Sequence, residues 1–176
     1  MDPLTDDRLT LVGLFIESTT ALRSVLGRRL EQDVDMPLQW FELLLRLARS
    51  PGRRLRMSDL ATQASLTPSG LTRAVDRLER TGLVERVPCP SDRRGSFAVL
   101  TPDGLARIRA AVGPHLGHVE EHLTGTLTDD EQRQLTDLLR KVRDHVNPAA
   151  VAAIPEGDMP VDPGADGGGA DRGGAD

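Results

Sequence analysis

The sequence predicts a mainly α-helical protein with one small β-hairpin set among the helices. Two observations carry this prediction. Apolar residues recur at spacings of three and four along most of the chain, which is the periodicity of an amphipathic helix. Residues 83–88 and 96–101 instead form short runs rich in Val, Leu and Phe on either side of a Pro- and Gly-containing segment, as the strands of a hairpin do. The 176 residues suffice for one compact domain or for two small subdomains that share a core.

The first two helices are predicted from their apolar positions. Residues 37–49 are apolar on most sides, so this second helix is expected to be central and buried, and the Ser-Pro-Gly at 50–52 ends it. The first helix, residues 5–31, carries its apolar residues on one stripe. They are Leu11, Leu14, Phe15, Leu22, Val25, Leu26 and Leu30.

A short helix, a tight turn and a second helix follow. Residues 58–64 are predicted as the short helix, with Ser58 as its N-cap. The next helix opens at Thr67, a capping hydroxyl followed by proline, and ends where Gly82 follows Thr81. Its apolar face consists of Leu71, Val75 and Leu78, and its opposite face of Ser69, Thr72, Arg73, Asp76, Arg77 and Arg80.

Two more helices are predicted after the hairpin, whose tip is expected at residues 88–95. One runs from Thr101-Pro102 to about Leu123, with a kink or a break at Gly113-Pro114. Thr128 and Glu131 have the spacing of a capping box, which starts a last helix ending near Val146. The buried side of that helix is predicted to be Leu135, Leu138, Leu139 and Val142.

Charge is distributed very unevenly along the chain. The net charge is −5, but residues 46–109 hold 13 Arg against 6 acidic residues and carry +7. The flanking segments are acidic, and residues 148–176 carry −5 with many glycines and little to bury, so we expect this tail to be disordered. The local field of the central block, rather than the net charge, decides what approaches it.

The predicted order of elements in the basic block is that of a winged helix-turn-helix. Its second helix protrudes, fits the major groove of duplex DNA, and brings small hydroxyls and arginines to base edges. The hairpin tip then overhangs the neighbouring minor groove, whose negative potential attracts arginine. Asp92 can orient the guanidinium of Arg93 or Arg94 there. Alternatively, the same fold serves as a protein-interaction module that does not bind DNA.

These residues resemble the multiple antibiotic resistance regulator (MarR) family. The resemblance lies in residues 57–108, above all in LTRAVDRLERTGLVER and DRRGSFAVLTPDG, and it extends in element order over about 4–146. It implies that Asp92 and Arg94 form the wing motif, with Arg94 probing the minor groove and Arg93 contacting phosphate or groove. The recognition-helix positions that it implies are Thr67, Ser69, Thr72, Arg73 and Arg77.

The resemblance also implies an assembly and a mode of regulation. A cytoplasmic homodimer would bind a near-palindromic operator, and a small-molecule effector, whose pocket is unknown, would release it, so repression is the expected role. The implied division of the chain has four parts: an N-terminal dimerisation helix at 4–36, a DNA-binding domain at 37–101, C-terminal dimerisation helices at 102–147 and an acidic tail at 148–176.

Other chemistries find less support in the sequence. His115, His118 and His122 share one helical face and are candidate metal ligands, which leaves a metal-responsive regulator open. The single cysteine, Cys89, excludes an intramolecular disulfide and leaves a redox-responsive regulator open. No catalytic constellation, cofactor motif, secretory signal or run of 18 apolar residues is recognisable, so we expect neither an enzyme nor a membrane protein.

Overall fold

The computed structural model describes residues 2–89 and 92–149, without the side chains of residues 92–94. The predicted mainly α-helical winged fold is confirmed. Single-turn 3₁₀ segments lie at 3–5, 51–53 and 124–126. The helices are α1 (Asp7–Val34), α2 (Leu38–Ala48), α3 (Met57–Gln63), α4 (Pro68–Arg80), α5 (Pro102–His122) and α6 (Asp129–Val146), and the strands are β1 (Arg54–Arg56), β2 (Val84–Cys89) and β3 (Asp92–Leu100). The tail that was predicted to be disordered lies, from residue 150 onward, outside the described residues.

The sheet has three antiparallel strands in the order β1-β3-β2, one strand more than predicted. The extra strand, Arg-Leu-Arg, is too short and too charged to show a strand pattern, and only its pairing across β3 reveals it. The predicted tip at 88–95 is wrong because the ladder continues through Pro88 opposite Ser96 and Cys89 opposite Asp92. An irregularity between Pro88 and Cys89 absorbs the change of register.

The core lies between α2, α3, α4, α5 and the inner face of the sheet. Its fully buried large side chains come from every one of these elements; they include Leu44, Leu47, Leu60, Leu71, Leu78, Val84 and Ile108. The first turn of α5 touches the start of β2 so closely that a Cβ on Gly104 would lie 2.1 Å from the carbonyl oxygen of Leu83. Glycine is therefore required at this joint.

Three helix starts agree with their predicted caps, and one does not. The hydroxyls of Thr67 and Thr101 accept the backbone N–H groups of Gly70 and Gly104, at 3.1 and 3.0 Å. Thr128 and Glu131 form the full capping box. Ser58 is not a cap, because β1 leads directly into α3.

At that start Arg56, paired with Phe97 in the sheet, occupies the cap position and forms no side-chain cap. Ser58 lies inside the first turn of α3 instead.

Of the kink or break predicted at Gly113-Pro114, the break does not occur, because α5 continues through Pro114. Proline removes one hydrogen bond from a helix, but here both flanks of the helix are held. Ile108 and Ala111 are buried before the proline, and His118 binds Asp33 after it.

The terminal helices leave most of their apolar residues exposed in the single chain. No residue of α6 is buried, so the prediction of a buried side at Leu135, Leu138, Leu139 and Val142 is wrong for one chain alone. In α1 only Leu26 and Leu30 are buried. By length and composition alone, α1 is also apolar enough to cross a membrane.

Candidate nucleic-acid interface

Helix α4 is presented by a tight turn and held by its apolar face. The turn passes through Ser65, whose φ of 53° reverses the chain after α3. Thr67 caps the helix and Pro68 occupies its first turn, so its start is well defined. The side chains of Leu71, Ala74, Val75 and Leu78 are buried in the core. The opposite face of the helix is therefore the one that solvent meets.

The predicted recognition-helix residues all lie at this exposed surface. The hydroxyl of Thr67 accepts the capping hydrogen bond, and the hydroxyl of Thr72 donates to the carbonyl of Pro68 at 2.8 Å. Because a hydroxyl oxygen has two lone pairs, each can accept a further hydrogen bond. Ser69, Arg73 and Arg77 project from the same side of the helix. This combination of small hydroxyls and arginines allows a close approach to base edges.

The acidic residues of α4 are contacted from the hairpin side by one arginine. Arg86, on β2, contacts Asp76 with 2.5 Å between Nη2 and Oδ1, and donates to the carbonyl of Thr72 at 3.0 Å. Its backbone N–H donates to Glu79 Oε1 at 3.2 Å. These bonds also fix the hairpin against the helix.

The arginines of the exposed face are left without acidic partners. The side chain of Arg73 makes no hydrogen bond or ion pair with any described residue. Arg77 reaches only the side-chain amide of Gln39, at 3.4 Å. Because Asp76 and Glu79 are drawn toward Arg86, the positive field of Arg73 and Arg77 is directed outward.

Arg86 was missed by the sequence reasoning, although the strand pattern contains a signal for it. Alternation along β2 places Arg86 on the same side as Val84, which is fully buried. A charge on the inner side of a sheet requires a partner, and the polar face of α4 supplies one.

The hairpin formed by β2 and β3 lies next to α4, as a wing does. Asp92, Arg93 and Arg94 belong by their backbone to β3. Their side chains lie outside the described residues, so the wing contacts predicted for them stay predictions.

The three histidines on α5 are not brought to one point. His118 Nε2 lies 2.5 Å from Asp33 Oδ2, and its Nδ1 lies 3.9 Å from Glu121 Oε2, which His122 Nε2 approaches at 3.6 Å. His115 instead stacks on Phe41 with 4.2 Å between ring centroids. Burial, and then the neighbouring His118, lower the pKa of His115. Across residues 2–89 and 92–149, no group of three or more His, Cys, Asp and Glu is arranged to hold a metal ion.

Cys89 closes β2 and is buried, with 5% of its surface exposed. Thiol reactivity requires a thiolate that reagents can reach, so burial disfavours the redox-responsive alternative.

Comparison with known proteins agrees with this geometry. A model of the MarR family matches residues 34–95. The transcriptional regulator HosA of Escherichia coli O111:H- is 32% identical over 108 residues, which cover 61% of this chain and 78% of HosA. The chain belongs to the MarR family.

Two further members extend the comparison. The multiple antibiotic resistance protein MarR of Salmonella typhimurium strain LT2 is 38% identical over 84 residues, 48% of this chain, and the match spans 58% of the length of that protein. The crystal structure of Sco3205, a MarR family transcriptional regulator from Streptomyces coelicolor in complex with DNA, superposes with a TM-score of 0.74 and 39% identity. The superposed region covers 81% of this chain and 89% of the Sco3205 chain.

Proposed function

We propose that this MarR family member is a homodimeric transcriptional regulator that binds duplex DNA through α4 and the wing. The observation that carries the proposal is the exposed face of α4, whose Arg73 and Arg77 lack acidic partners among the described residues while Asp76 is paired with Arg86. Such a face suits the major groove, in which arginine donates two hydrogen bonds to guanine. A relative of the same fold, Sco3205, has been solved with DNA.

The proposed dimer rests on the exposed apolar surface of α1 and α6. An open groove of about 490 Å³ separates these helices, lined by Phe15 of α1 and by Leu139, Val142 and Val146 of α6 among others. Contiguous apolar surface of this kind marks an interface in a soluble protein. Pairing of two copies here explains the apolar composition of α1 without a membrane, and it fits a cytoplasmic regulator.

A two-fold dimer presents two copies of α4. Successive major grooves on one side of a duplex lie about 34 Å apart, so the matching operator is a near-palindrome. Arg94, oriented by Asp92, would read the flanking minor groove, and Arg93 would contact phosphate or groove. Repression is the proposed role, and a small-molecule effector would release the DNA by favouring a dimer whose α4 helices no longer match this spacing.

A mobility-shift assay tests the proposal on DNA from upstream of the gene, scanned for an inverted repeat. Arg73→Ala and Arg77→Ala are each expected to weaken specific binding by about 1–3 kcal/mol, because a bidentate arginine–guanine contact is lost. Affinity of the parent should fall steeply with salt as counterions are released. The control, Arg133→Ala, removes an exposed arginine of α6 that does not line the groove between α1 and α6, and should bind as the parent does.

Two results would contradict this function. If the affinity for DNA hardly changed with salt concentration, phosphate contacts would be ruled out and the alternative of a protein-interaction module would be favoured. Unchanged affinity and unchanged base preference in both α4 variants would show that another surface reads the DNA.

A further inference from the structure

The outer face of the wing sheet carries an apolar groove that the proposed DNA contacts do not use. Alternation places Val87, Phe97 and Val99 on this face, opposite the buried Ala98. The groove has a volume of about 310 Å³, and 39% of the Val87 surface is exposed. It is lined by Gly52, Arg54, Val87, Pro88, Phe97 and Val99.

Two arginines lie over the ring of Phe97, which lines this groove. The guanidinium carbons of Arg54 and Arg56 lie 5.2 and 5.4 Å from the centroid of Phe97. Cation–π attraction holds each guanidinium against the ring. Arg54, which lines the groove, makes no ion pair with a described residue. A carboxylate would pair with Arg54 at this edge, so the groove suits an extended segment with apolar side chains and acidic neighbours.

The chain itself contains a segment of this composition. Residues 151–162, VAAIPEGDMPVD, hold Val151, Ile154, Met159 and Val161 together with three acidic residues and no basic one. The segment has too few apolar residues to fold alone, but it can become ordered on a surface that already exists. The glycine-rich residues that follow it lack such apolar side chains.

The end of α6, four residues before this segment, is fastened to α3. The side-chain amide of Asn147, at the end of α6, donates to the carbonyl of Thr62 at 3.2 Å. Thr62 lies near the end of α3, and Arg56 directly precedes that helix, six residues and about 9 Å away along its axis. The seven residues from Asn147 to Ile154 span up to about 23 Å when extended, which is ample for this distance.

We infer that residues 151–162 bind in the outer groove of their own chain, with Ile154 against Phe97 and Val99 and with Glu156 or Asp158 at Arg54. The bound segment adds negative charge beside the basic block of residues 46–109. If the proposed function holds, the segment weakens the attraction of DNA electrostatically. Docking itself does not depend on that function.

Photocrosslinking of the full chain tests the docking without DNA. Ile154→p-benzoylphenylalanine is expected to give an intramolecular crosslink, of single-chain mass under denaturing conditions, that peptide mapping places in residues 52–56 or 87–99. The same label at Ala170, in the glycine-rich end, serves as the control and is expected to give severalfold less crosslink there. Because the attraction is partly ionic, the Ile154 yield should fall severalfold between about 0.05 and 0.5 M salt.

Charge variants separate specific docking from chance contact. Arg54→Ser, or Glu156→Gln combined with Asp158→Asn, is expected to lower the crosslink yield severalfold. Arg133→Ser, which removes an arginine on α6, should leave the yield unchanged. Crosslinks that map to α1, α4 or α6, that join two copies, or that do not respond to these variants would overturn the inference. None of these results bears on DNA binding, so the two proposals fail independently.

Discussion

The middle of the chain and its terminal helices use the same apolar periodicity with opposite results. Apart from Leu26 and Leu30, every buried apolar residue of the described chain lies between Met36 and Ala111. Ten of the thirteen exposed large apolar residues in the described chain lie on α1 and α6. The middle region therefore completes its core within one chain, whereas the terminal helices present apolar surface that only a second copy covers in our proposal.

The two regions also differ in how polar groups are used. In the middle region, Arg86 holds Asp76 and Glu79 and thereby leaves Arg73 and Arg77 facing outward. On α6 the charged residues pair with neighbours on the same helix, such as Arg140 with Asp137 at 3.3 Å. Pairs of this exposed kind contribute little to stability. Ion pairing thus determines which charges α4 exposes in the middle region, whereas on α6 it only joins exposed side chains of the same helix.

The largest effect is expected when charges are introduced into the exposed apolar surface of the terminal helices. Phe15→Asp combined with Leu139→Asp places charges at positions that are 46% and 40% exposed in the single chain. Two-fold symmetry repeats each charge in the proposed interface, where burial costs several kcal/mol per ion. We expect light scattering to report the mass of one chain and DNA binding to be lost.

The matched control is Arg133→Gln, which changes the charge by the same single unit per site on the polar side of α6. It should leave the dimer intact. A dimer that survives both aspartates would show that the copies meet elsewhere.

A smaller effect is expected from truncating single leucines, one in the core of the middle region and one on the exposed side of α6. Leu78→Ala removes a side chain that is 0% exposed and should lower the free energy of unfolding by about 2–5 kcal/mol at any protein concentration. Leu138→Ala, at 59% exposure, should act mainly through the dimer, so its effect on the urea midpoint should depend on protein concentration. Equal, concentration-independent losses would mean that α6 is core of the single chain.

The smallest expected effect concerns pH and His115. Burial lowers the pKa of His115 in the folded chain, so the unfolded chain binds more protons near neutrality. The resulting stability is fully present above about pH 6.5, the ordinary histidine pKa, and is lost as the pH falls through the lower folded value. His115→Leu should therefore flatten the fall in unfolding free energy between about pH 7 and 5.

The parent protein under the same conditions provides the reference, and urea titrations at each pH provide the measurement. Identical pH dependence in parent and variant would show that His115 does not contribute. His118, paired with Asp33, is present in both proteins, so the difference reports His115 together with its electrostatic interaction with His118.

Local signals predicted most helices well, α4 among them, because the hydrogen bonds that cap a helix form within a few residues of its start. Thr67-Pro68 and the Thr128–Glu131 box specify helix starts by their own hydrogen bonds. By contrast, β1 exists only because Arg54 and Arg56 face Val99 and Phe97, more than forty residues away. No local pattern reports such a pairing, and the misplaced cap at Ser58 followed from missing it.

The exposed face of α4 could be predicted from the sequence, but its ion pairing could not. The polar face of α4 can be found from helical periodicity alone. That Asp76 belongs to Arg86, rather than to Arg73 or Arg77, depends on how β2 packs against α4. Likewise, the periodicity of α6 indicates an apolar side, but it does not tell whether the same chain or another copy covers that side.

The joint at Gly104 gives the molecule a mechanical property. A helix and a strand that meet backbone to backbone, with no side chain between them, have no compressible layer in which motion can be lost. We therefore expect a tilt of α5 to move β2, and with it the paired strand β3, in the same direction. A rotation that begins among the terminal helices would in this way reach the hairpin beside α4.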